Sequence, residues 1–260
     1  MGNDMKTLND YFDKIYCVNL DRRVDRWDEC EKEFKKHDLN VERFSAVDGT
    51  TVEIVNSSLN DGQTGCALSH LEIIQICKSK EYSNCLILED DIQFDEELNN
   101  KLPNIMEQVP DDWDMLYFGG NHVGNNPHAP GKLTKVNQTQ NIFRTTHCFT
   151  THSYAVKNKV YDKIISSFDG SEPIDVCFSK IQSSINCYVI RPHLAWQRPS
   201  HSDVRGFFTD TPFLYNDNEF YENGYFGPEM LKRNDVREKL TEKEKVLYDK
   251  EKKNYLEGLK

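Results

Sequence analysis

The chain lacks any long apolar run. None of its hydrophobic stretches approaches the roughly 20 residues that a membrane-spanning helix needs. Its first residues, Met1 to Lys6, also lack the apolar core of a signal peptide. These two absences predict a cytoplasmic protein without a transmembrane segment.

Positive charge is scarce. The sequence has 32 Lys and Arg residues against 43 Asp and Glu residues, which gives a net charge of −11. Proteins that bind nucleic acids need a basic face to displace counterions, so nucleic acid is excluded as a general partner. A small anionic substrate fits such a chain only if a cation or local arginines neutralise it.

Paired cysteine motifs are missing. The eight cysteines are scattered and none stands in a Cys-x-x-Cys pair, which argues against a zinc site. Several lie inside apolar patterns, where a free cysteine behaves as a small hydrophobic residue. We therefore expect reduced thiols.

The common nucleotide-binding motifs are missing too. The first strand-to-helix turn reads Asn19-Leu20-Asp21-Arg22-Arg23 and contains no Gly-x-Gly-x-x-Gly. An ordinary dinucleotide-binding fold is therefore disfavoured. The absence of a Gly-x-x-x-x-Gly-Lys motif likewise disfavours a nucleoside triphosphatase.

The most informative feature that is present is an apolar run followed directly by acids. Residues 86–88 read Leu-Ile-Leu, and Glu89, Asp90 and Asp91 come next. The apolar run predicts a buried strand, so the acids should lie at its carboxyl end, where open α/β sheets bind ligands. A hard divalent cation would relieve the repulsion between adjacent carboxylates. The alternative is an acidic loop or helix N-terminus, because more acids follow at positions 95–97.

Apolar and amphipathic segments alternate along the chain. Predicted strands lie at residues 15–20, 41–47, 85–88, 115–118 and 187–190, with one or two more within 143–156. Predicted helices lie at residues 22–36, 65–78, 98–109, 157–168 and 174–183, and a long loop at 121–140. This alternation predicts an α/β fold with a mixed, mainly parallel sheet flanked by helices.

We assign residues 1–227 to a single domain and residues 228–260 to a Lys/Glu-rich helical tail. The tail is expected to be solvated and lightly docked through Leu240, Leu247 and Leu256.

Five short motifs occur in a specific order. They are Val18 to Arg26, Phe44 to Gly49, Gly65 to His70, Leu88 to Asp91, and a last piece running from Pro173-Ile174-Asp175 to Ser202-Asp203. Together they resemble glycosyltransferase family 25, which holds lipooligosaccharide and procollagen galactosyltransferases. The resemblance covers roughly residues 12 to 205. It implies a GT-A-type (Rossmann-like) fold, a nucleotide-sugar donor and an Asp-x-Asp-type metal motif.

The resemblance implies roles for the three acids. Asp91 would bind Mn²⁺ (or Mg²⁺) directly, and Glu89 or Asp90 would face the ribose or a metal-bound water. Glu89 is a further candidate metal ligand, and His201 or His193 could supply another, with a structural role as the alternative for each histidine. A metal bridging both phosphates would stabilise the charge that grows on the leaving diphosphate.

The resemblance also implies a set of donor contacts. Asn19 and Leu20 would line the uridine pocket. Ala46 and Asp48 would lie beside the nucleoside. Two further groups complete the set: at least one arginine among Arg22, Arg23 and Arg26, and the helix residues Gly65 and Ser69. The alternative for the arginines is a solvated helix start, and for Asp48-Gly49 a plain turn.

An inverting transferase needs a base to take the proton of the acceptor hydroxyl. Asp175 is the candidate, and its alternative role is that of an N-cap aspartate. Trp196 is either a platform for a sugar ring or a core residue.

The leading hypothesis is a Mn²⁺-dependent transferase that moves galactose or glucose from a UDP-sugar to a glycan or protein hydroxyl. One alternative is a metal-dependent phosphohydrolase, and the other is a non-catalytic carbohydrate-binding relative. The lysines of the tail are compatible with peripheral contact with an anionic membrane, but its acids nearly balance its bases, so the sequence signal for such contact is weak. The sequence does not fix the oligomeric state.

Overall fold

The computed structural model describes residues 6–52, 57–122, 133–214, 225–233 and 235–258. The helices are α1 (Val24–Lys36), α2 (Asp61–Ser79), α3 (Leu98–Met106), α4 (Tyr161–Ser167), α5 (Ile174–Gln182) and α6 (Glu242–Gly258). The strands are β1 (Lys14–Asn19), β2 (Glu42–Ser45), β3 (Asn84–Glu89), β4 (Ile92–Phe94), β5 (Met115–Tyr117), β6 (Asn121–His122), β7 (Thr134–Lys135), β8 (Ile142–Arg144), β9 (Cys148–Phe149), β10 (Ser153–Lys157), β11 (Cys187–Ile190), β12 (Ala195–Gln197), β13 (Ser200–Ser202), β14 (Phe207–Asp210) and β15 (Tyr225–Phe226).

An eight-stranded sheet in the order β2-β1-β3-β10-β5-β11-β8-β7 forms the centre of the fold. Strands β2, β1 and β3 are parallel, as are β5 and β11. Strand β10 runs antiparallel between β3 and β5, and β8 runs antiparallel to β11. Most strands therefore point the same way, and the predicted mixed, mainly parallel α/β sheet is confirmed.

The sheet has an apolar core on each face. On one face, Cys17 and Leu88 pack with Phe34 of α1 and Leu102 of α3. The opposite face holds a second cluster, in which Tyr16, Ile87 and Ile74 of α2 are buried together. Because both faces are covered, strands β1 and β3 are continuous apolar runs without polar alternation.

Helix α2 begins four residues before its predicted start. Asn60 caps it: the Asn60 side chain accepts from the Gln63 N–H, and the Gln63 side chain accepts from the Asn60 N–H. This reciprocal capping box satisfies two free donors of the first turn, so the helix starts at Asp61. The Asn-x-x-Gln spacing is the sequence signal that marks it.

Other boundaries differ more modestly. The predicted strand over residues 41–47 is shorter, and residues 143–156 lie in three strands, not one or two. The predicted loop over residues 121–140 contains the two-residue strands β6 and β7. Residues 123–132 of that loop lie outside the described residues. Two-residue strands are too short to give a periodic apolar pattern, so the sequence did not predict β6 and β7.

The tail is packed more tightly against the domain than the light docking through leucines that the sequence predicts. Tyr248 of α6 is fully buried in a third apolar cluster with Phe208 and Met230, and its hydroxyl donates to the Met230 carbonyl at 3.0 Å. Leu240 joins this cluster, whereas Leu256 is 51% exposed. The main apolar anchor of α6 is therefore an aromatic side chain.

All eight cysteines are free. Within the described residues, no helix combines the length and apolarity that crossing a bilayer requires.

A close backbone contact fixes the turn after β2 against α2. A Cβ atom on Gly65 would lie 2.5 Å from the Val47 carbonyl oxygen and 2.9 Å from the Gly49 nitrogen. Ser69, one turn further along, accepts from the Val47 N–H at 2.9 Å. Gly65 therefore permits the approach of two protein segments, and Ser69 fastens them.

Gly65→Ala should force this turn away from α2, because its new methyl group would overlap backbone atoms. We expect a loss of about 1–3 kcal/mol in the free energy of unfolding, measured by urea denaturation. Gly258→Ala is the matched control, since a Cβ there meets no atom within 4 Å. Equal stability of the two variants would contradict the contact.

Candidate active site

A cleft of about 820 Å³ opens at the carboxyl ends of β1 and β3. It is bordered by the turn after β2, the start of α2, the start of α5 and residues 202–211. The cleft brings together most of the site residues predicted from the sequence: Leu20, Arg22, Ala46, Asp48, Gly65, Ser69, Glu89, Asp90, Asp91 and Asp175.

Three predicted site residues lie outside the cleft lining. Asn19 is 1% exposed, and its amide donates to Asp90 at 2.7 Å. Arg23 is buried in ion pairs. The ring of His201 packs edge-on against Phe208, with 5.1 Å between the ring centroids. A direct donor contact by Asn19 or Arg23, and a metal contact by His201, therefore find no geometric support.

Asp90, the middle acid, is held by the protein itself. One carboxylate oxygen accepts from Asn19, and the other pairs with the Arg26 guanidinium at 2.5 Å. Arg26 is 5% exposed and also donates to Ser200 Oγ and the His201 carbonyl, both at 2.9 Å. Asp90 thus ties the end of β3 to β1 and α1, and Arg26 extends the link to β13.

Glu244 of the tail completes this buried network. Its carboxylate lies 2.7 Å from Arg23 and 3.5 Å from Arg26, and it is 2% exposed. Burial alone would raise the pKa of Glu244, but Arg26 and Arg23 outweigh it and hold the pKa below its ordinary value. Sequence reasoning missed Glu244, which resembles any other glutamate of the Lys/Glu-rich tail.

Asp91 is the acid whose charge is least compensated. Its carboxylate meets the Gln197 amide at 3.3 Å and stands 4.0 Å from Arg26. Burial raises the pKa of Asp91 to about 7, since the charges of Glu89 and Asp90 add to it and Arg26 only partly opposes it. Both oxygens of Asp91 are therefore held more weakly than those of Asp90, at 3.3 and 3.5 Å from the Gln197 amide.

Glu89 turns toward a different set of partners. It accepts from the Thr151 hydroxyl at 2.6 Å and lies 3.5 Å from His70 Nε2. Burial opposes its charge, but His70 and Thr151 outweigh burial and lower the pKa of Glu89. The ligand atoms of Cys66, His70 and Glu89 all lie within 4.8 Å of one another, which forms a possible metal-binding group.

Asp175 lies in the first turn of α5, but it is not the N-cap, because Pro173 holds that position. Its carboxylate accepts from the Val176 N–H at 2.9 Å and from the Thr150 N–H at 3.2 Å. Burial raises the pKa of Asp175 despite these two hydrogen bonds. Thr150 has a φ of 72°, which is rare for a β-branched residue and is associated with functional sites. Sequence reasoning missed Thr150.

Arg22 and Asp48 meet at the mouth of the cleft, 2.5 Å apart, and Arg22 is about half exposed. Asp48 also accepts from the Thr50 N–H, so it serves as a turn residue as well. Trp196 lines a separate cavity of about 350 Å³ with Gln93 and Arg198. Trp196 therefore does not line the main cleft, where a sugar platform would be needed.

The fold and the cleft define an α/β protein with acidic side chains at the carboxyl ends of its strands. The family model described as "Glycosyltransferase family 25 (LPS biosynthesis protein)" matches residues 12–178, more than half of the chain. The chain therefore belongs to glycosyltransferase family 25. The matched range includes Glu89 to Asp91 and Asp175 and ends before α6.

Curated relatives agree with this assignment. Procollagen galactosyltransferase 2 of Mus musculus is 26% identical over 187 residues, which cover 63% of this chain and 29% of that protein. Inactive glycosyltransferase 25 family member 3 of Homo sapiens is 25% identical over 180 residues, covering 60% of this chain and 29% of that protein. The chain thus spans under a third of the length of these relatives.

Among solved structures, a glycosyltransferase involved in glycosylation of the major capsid of PBCV-1 has a TM-score of 0.34 and 12% identity. The match covers 59% of this chain and 65% of that one.

Glu244→Gln should destabilise the protein, because it leaves two buried guanidinium groups short of one negative charge. We expect a loss of about 2–3 kcal/mol in the free energy of unfolding by urea denaturation. Glu242→Gln removes only a surface pair with Lys245 and should change stability by less than about 0.5 kcal/mol. A Glu244→Gln variant as stable as this control would show that the network is dispensable.

A divalent cation ligated by Asp91, such as the Mn²⁺ proposed below, should bind more tightly as the pH rises toward neutrality. The proton on Asp91, whose pKa is about 7, must leave before the carboxylate can ligate a cation. Below that pKa we expect the Mn²⁺ affinity to fall about tenfold per pH unit, and above it to level off. Calorimetric titration at about pH 6, 7 and 8 measures this dependence. An affinity that is constant from pH 6 to 7 would count against Asp91 as the ligand.

Proposed function

We propose that this domain transfers a hexose from a UDP-sugar to an acceptor hydroxyl, with inversion at the anomeric carbon. A divalent cation, Mn²⁺ or Mg²⁺, would be held at Asp91. The observation that carries this proposal is the poorly compensated Asp91 carboxylate in a large cleft of a family 25 chain.

The cleft offers both kinds of surface that a nucleotide-sugar donor needs. Leu20 and Ala46 lie in the part formed by the ends of β1 and β2, where they suit a uracil ring. Arg22 lies at the mouth, where it suits a phosphate oxygen. Its pairing with Asp48 would be exchanged for a donor contact.

The donor set of this region fits a hard cation. Carboxylate oxygens are the ligands that Mg²⁺ and Mn²⁺ prefer. The Asp91 carboxylate meets the Gln197 amide at 3.3 Å and stands 4.0 Å from Arg26, and the charges of Arg26 and Arg198 only partly offset its burial. A bound cation would supply Lewis-acid stabilisation of the leaving diphosphate. Asp90 would not ligate the cation itself, because Asn19 and Arg26 already bind its two oxygens; it would hold the neighbouring acids in position.

Asp175 is the proposed base. Two backbone N–H groups fix its carboxylate, and its raised pKa brings it closer to the range in which a base works near neutral pH. It would take the proton of the acceptor hydroxyl while that oxygen attacks the anomeric carbon.

The names of the relatives support galactose over glucose as the transferred sugar. A procollagen acceptor and the lipopolysaccharide function in the family's description support, respectively, a protein hydroxyl and a glycan hydroxyl as acceptor. Both acceptor classes therefore belong to the proposal.

We also propose the division into a domain at residues 1–227 and a tail at 228–260. The tail helps to stabilise the domain, because its Glu244 pairs with Arg23. A cytoplasmic location and peripheral membrane contact remain predictions.

A non-catalytic relative is the second candidate, because one similar human protein is named as inactive. Such a protein would bind UDP without turning over any donor. The phosphohydrolase alternative has no observation in its favour.

The test is a screen of UDP-sugars by UDP release, with and without Mn²⁺ and with glycan and hydroxylated-peptide acceptors. We expect Mn²⁺-dependent release from UDP-galactose. Asp91→Asn should lose UDP–Mn²⁺ binding. Asp175→Asn should keep it while turnover falls about 10²–10⁴-fold. Asp162→Asn, at a position whose side chain is 79% exposed on α4, is the matched control.

Three results would contradict the proposal. Full turnover by Asp91→Asn would remove the metal role. UDP binding with no turnover of any donor would support the non-catalytic candidate. Hydrolysis of simple phosphodiesters without UDP binding would support the phosphohydrolase.

A further inference from the structure

Cys66, His70 and Glu89 form a compact cluster in the wall of the cleft. Cys66 and His70 are four residues apart on α2, so their side chains lie on one face of the helix. Glu89 ends β3, and its carboxylate meets them there. The three ligand atoms lie within 4.8 Å of one another, and all three residues line the cleft.

The His70 ring is arranged as a metal-binding histidine is. It is fully buried, and its Nδ1 lies 2.9 Å from the Tyr154 hydroxyl. Its Nε2 is buried with no hydrogen-bond partner and faces Glu89. Histidine ligands commonly hold one ring nitrogen by such a contact and present the other to the metal. A buried ring nitrogen whose nearest acceptor, the Glu89 carboxylate, is 3.5 Å away is otherwise costly.

The spacing of the ligand atoms also fits a metal site. His70 Nε2 and the Glu89 oxygen are 3.5 Å apart, which is long for a hydrogen bond. Two ligands each about 2.0–2.1 Å from a tetrahedral ion lie about 3.3 Å apart. The Thr151 hydroxyl, 2.6 Å from the same oxygen, fixes the carboxylate as an outer-shell partner.

We propose that Cys66, His70 and Glu89 bind a thiophilic divalent cation, with Zn²⁺ as the expected ion, at a site separate from Asp91. One sulfur, one imidazole nitrogen and one carboxylate oxygen are a zinc donor set, whereas Mn²⁺ and Mg²⁺ prefer oxygen ligands alone. Three protein ligands leave a fourth position toward the cleft for a water or a substrate oxygen. The cation would also neutralise Glu89 beside Asp91 and Asp175.

The absence of a Cys-x-x-Cys pair argues against a zinc site, but this cluster needs no such pair. The pattern that marks this cluster is Cys66-x-x-x-His70 on a helix, joined by a glutamate from another element. A helix places residues i and i+4 together, so this spacing can supply two ligands of one ion.

The test is a Co²⁺ titration of the purified, metal-free full chain, followed by absorption spectroscopy. Cobalt bound by a thiolate gives a near-ultraviolet charge-transfer band, which oxygen ligands do not give. We expect one equivalent of Co²⁺ to produce this band, and Zn²⁺ but not Mn²⁺ to abolish it. Cys66→Ser should lose the band.

Cys177→Ser is the matched control and should keep the band. Cys177 lies on α5 outside the cleft, and its sulfur contacts the Glu172 carbonyl, which a hydroxyl can also do. Circular dichroism verifies the fold of both variants. Glu89→Gln is the second variant: it should keep the thiolate band and weaken Co²⁺ binding at least tenfold.

A wild-type protein without the band would overturn the proposal, and so would a band that survives in Cys66→Ser. In that case the cluster is a hydrogen-bonded network without an ion. Asp91→Asn should keep the cobalt band. A band retained while UDP–Mn²⁺ binding fails would reject the proposed function and leave the zinc site standing.

Discussion

The pairing of Asp90 with Arg26 is the interaction on which the site depends. Burying two charges costs several kcal/mol per ion, and their attraction offsets this only when the remaining donors and acceptors are satisfied. Here Asn19, Ser200 and the His201 carbonyl supply those partners, and Glu244 approaches from the tail. The network therefore joins β1, α1, β3, β13 and α6 at one point. With Asp90 fixed in this way, its two acidic neighbours face the cleft.

The three adjacent acids thus have three environments. Asp90 is neutralised by arginine, Glu89 is paired with His70 and Thr151, and Asp91 has only weak compensation. Adjacent residues at the end of a strand point in different directions, so a run of like charges can be divided among separate partners. The repulsion that made the run conspicuous in the sequence is relieved by arginine at one position. We propose that cations relieve it at the other two.

How far the sequence predicts this structure depends on the range of the interactions. Strands β1 and β3 and the helix α1 were predictable because a buried run and a periodic apolar face are local patterns. Asp91 stood out as one of three acids after a buried run, and the resemblance then suggested roles for Asp91 and Asp175. Glu244 was not, since its contacts with Arg23 and Arg26 span more than 200 residues of chain. The strained backbone of Thr150 also leaves no local trace.

Long-range packing also explains the predicted site residues that lie elsewhere. Asn19 and Arg23 follow the first strand as expected, but both are used to build the wall behind the cleft. A motif in the sequence does not distinguish residues that touch a ligand from those that hold such residues in place. The three-dimensional partners of each side chain make that distinction.

A crystal structure with UDP and Mn²⁺, with the cation located by its anomalous scattering, would show whether Asp91 holds the metal. We expect one Mn²⁺ bonded to the Asp91 carboxylate and to the diphosphate, while Asp90 still pairs with Arg26. An anomalous peak on Asp90, with Arg26 displaced, would contradict this expectation, and so would UDP bound without any cation near Asp91.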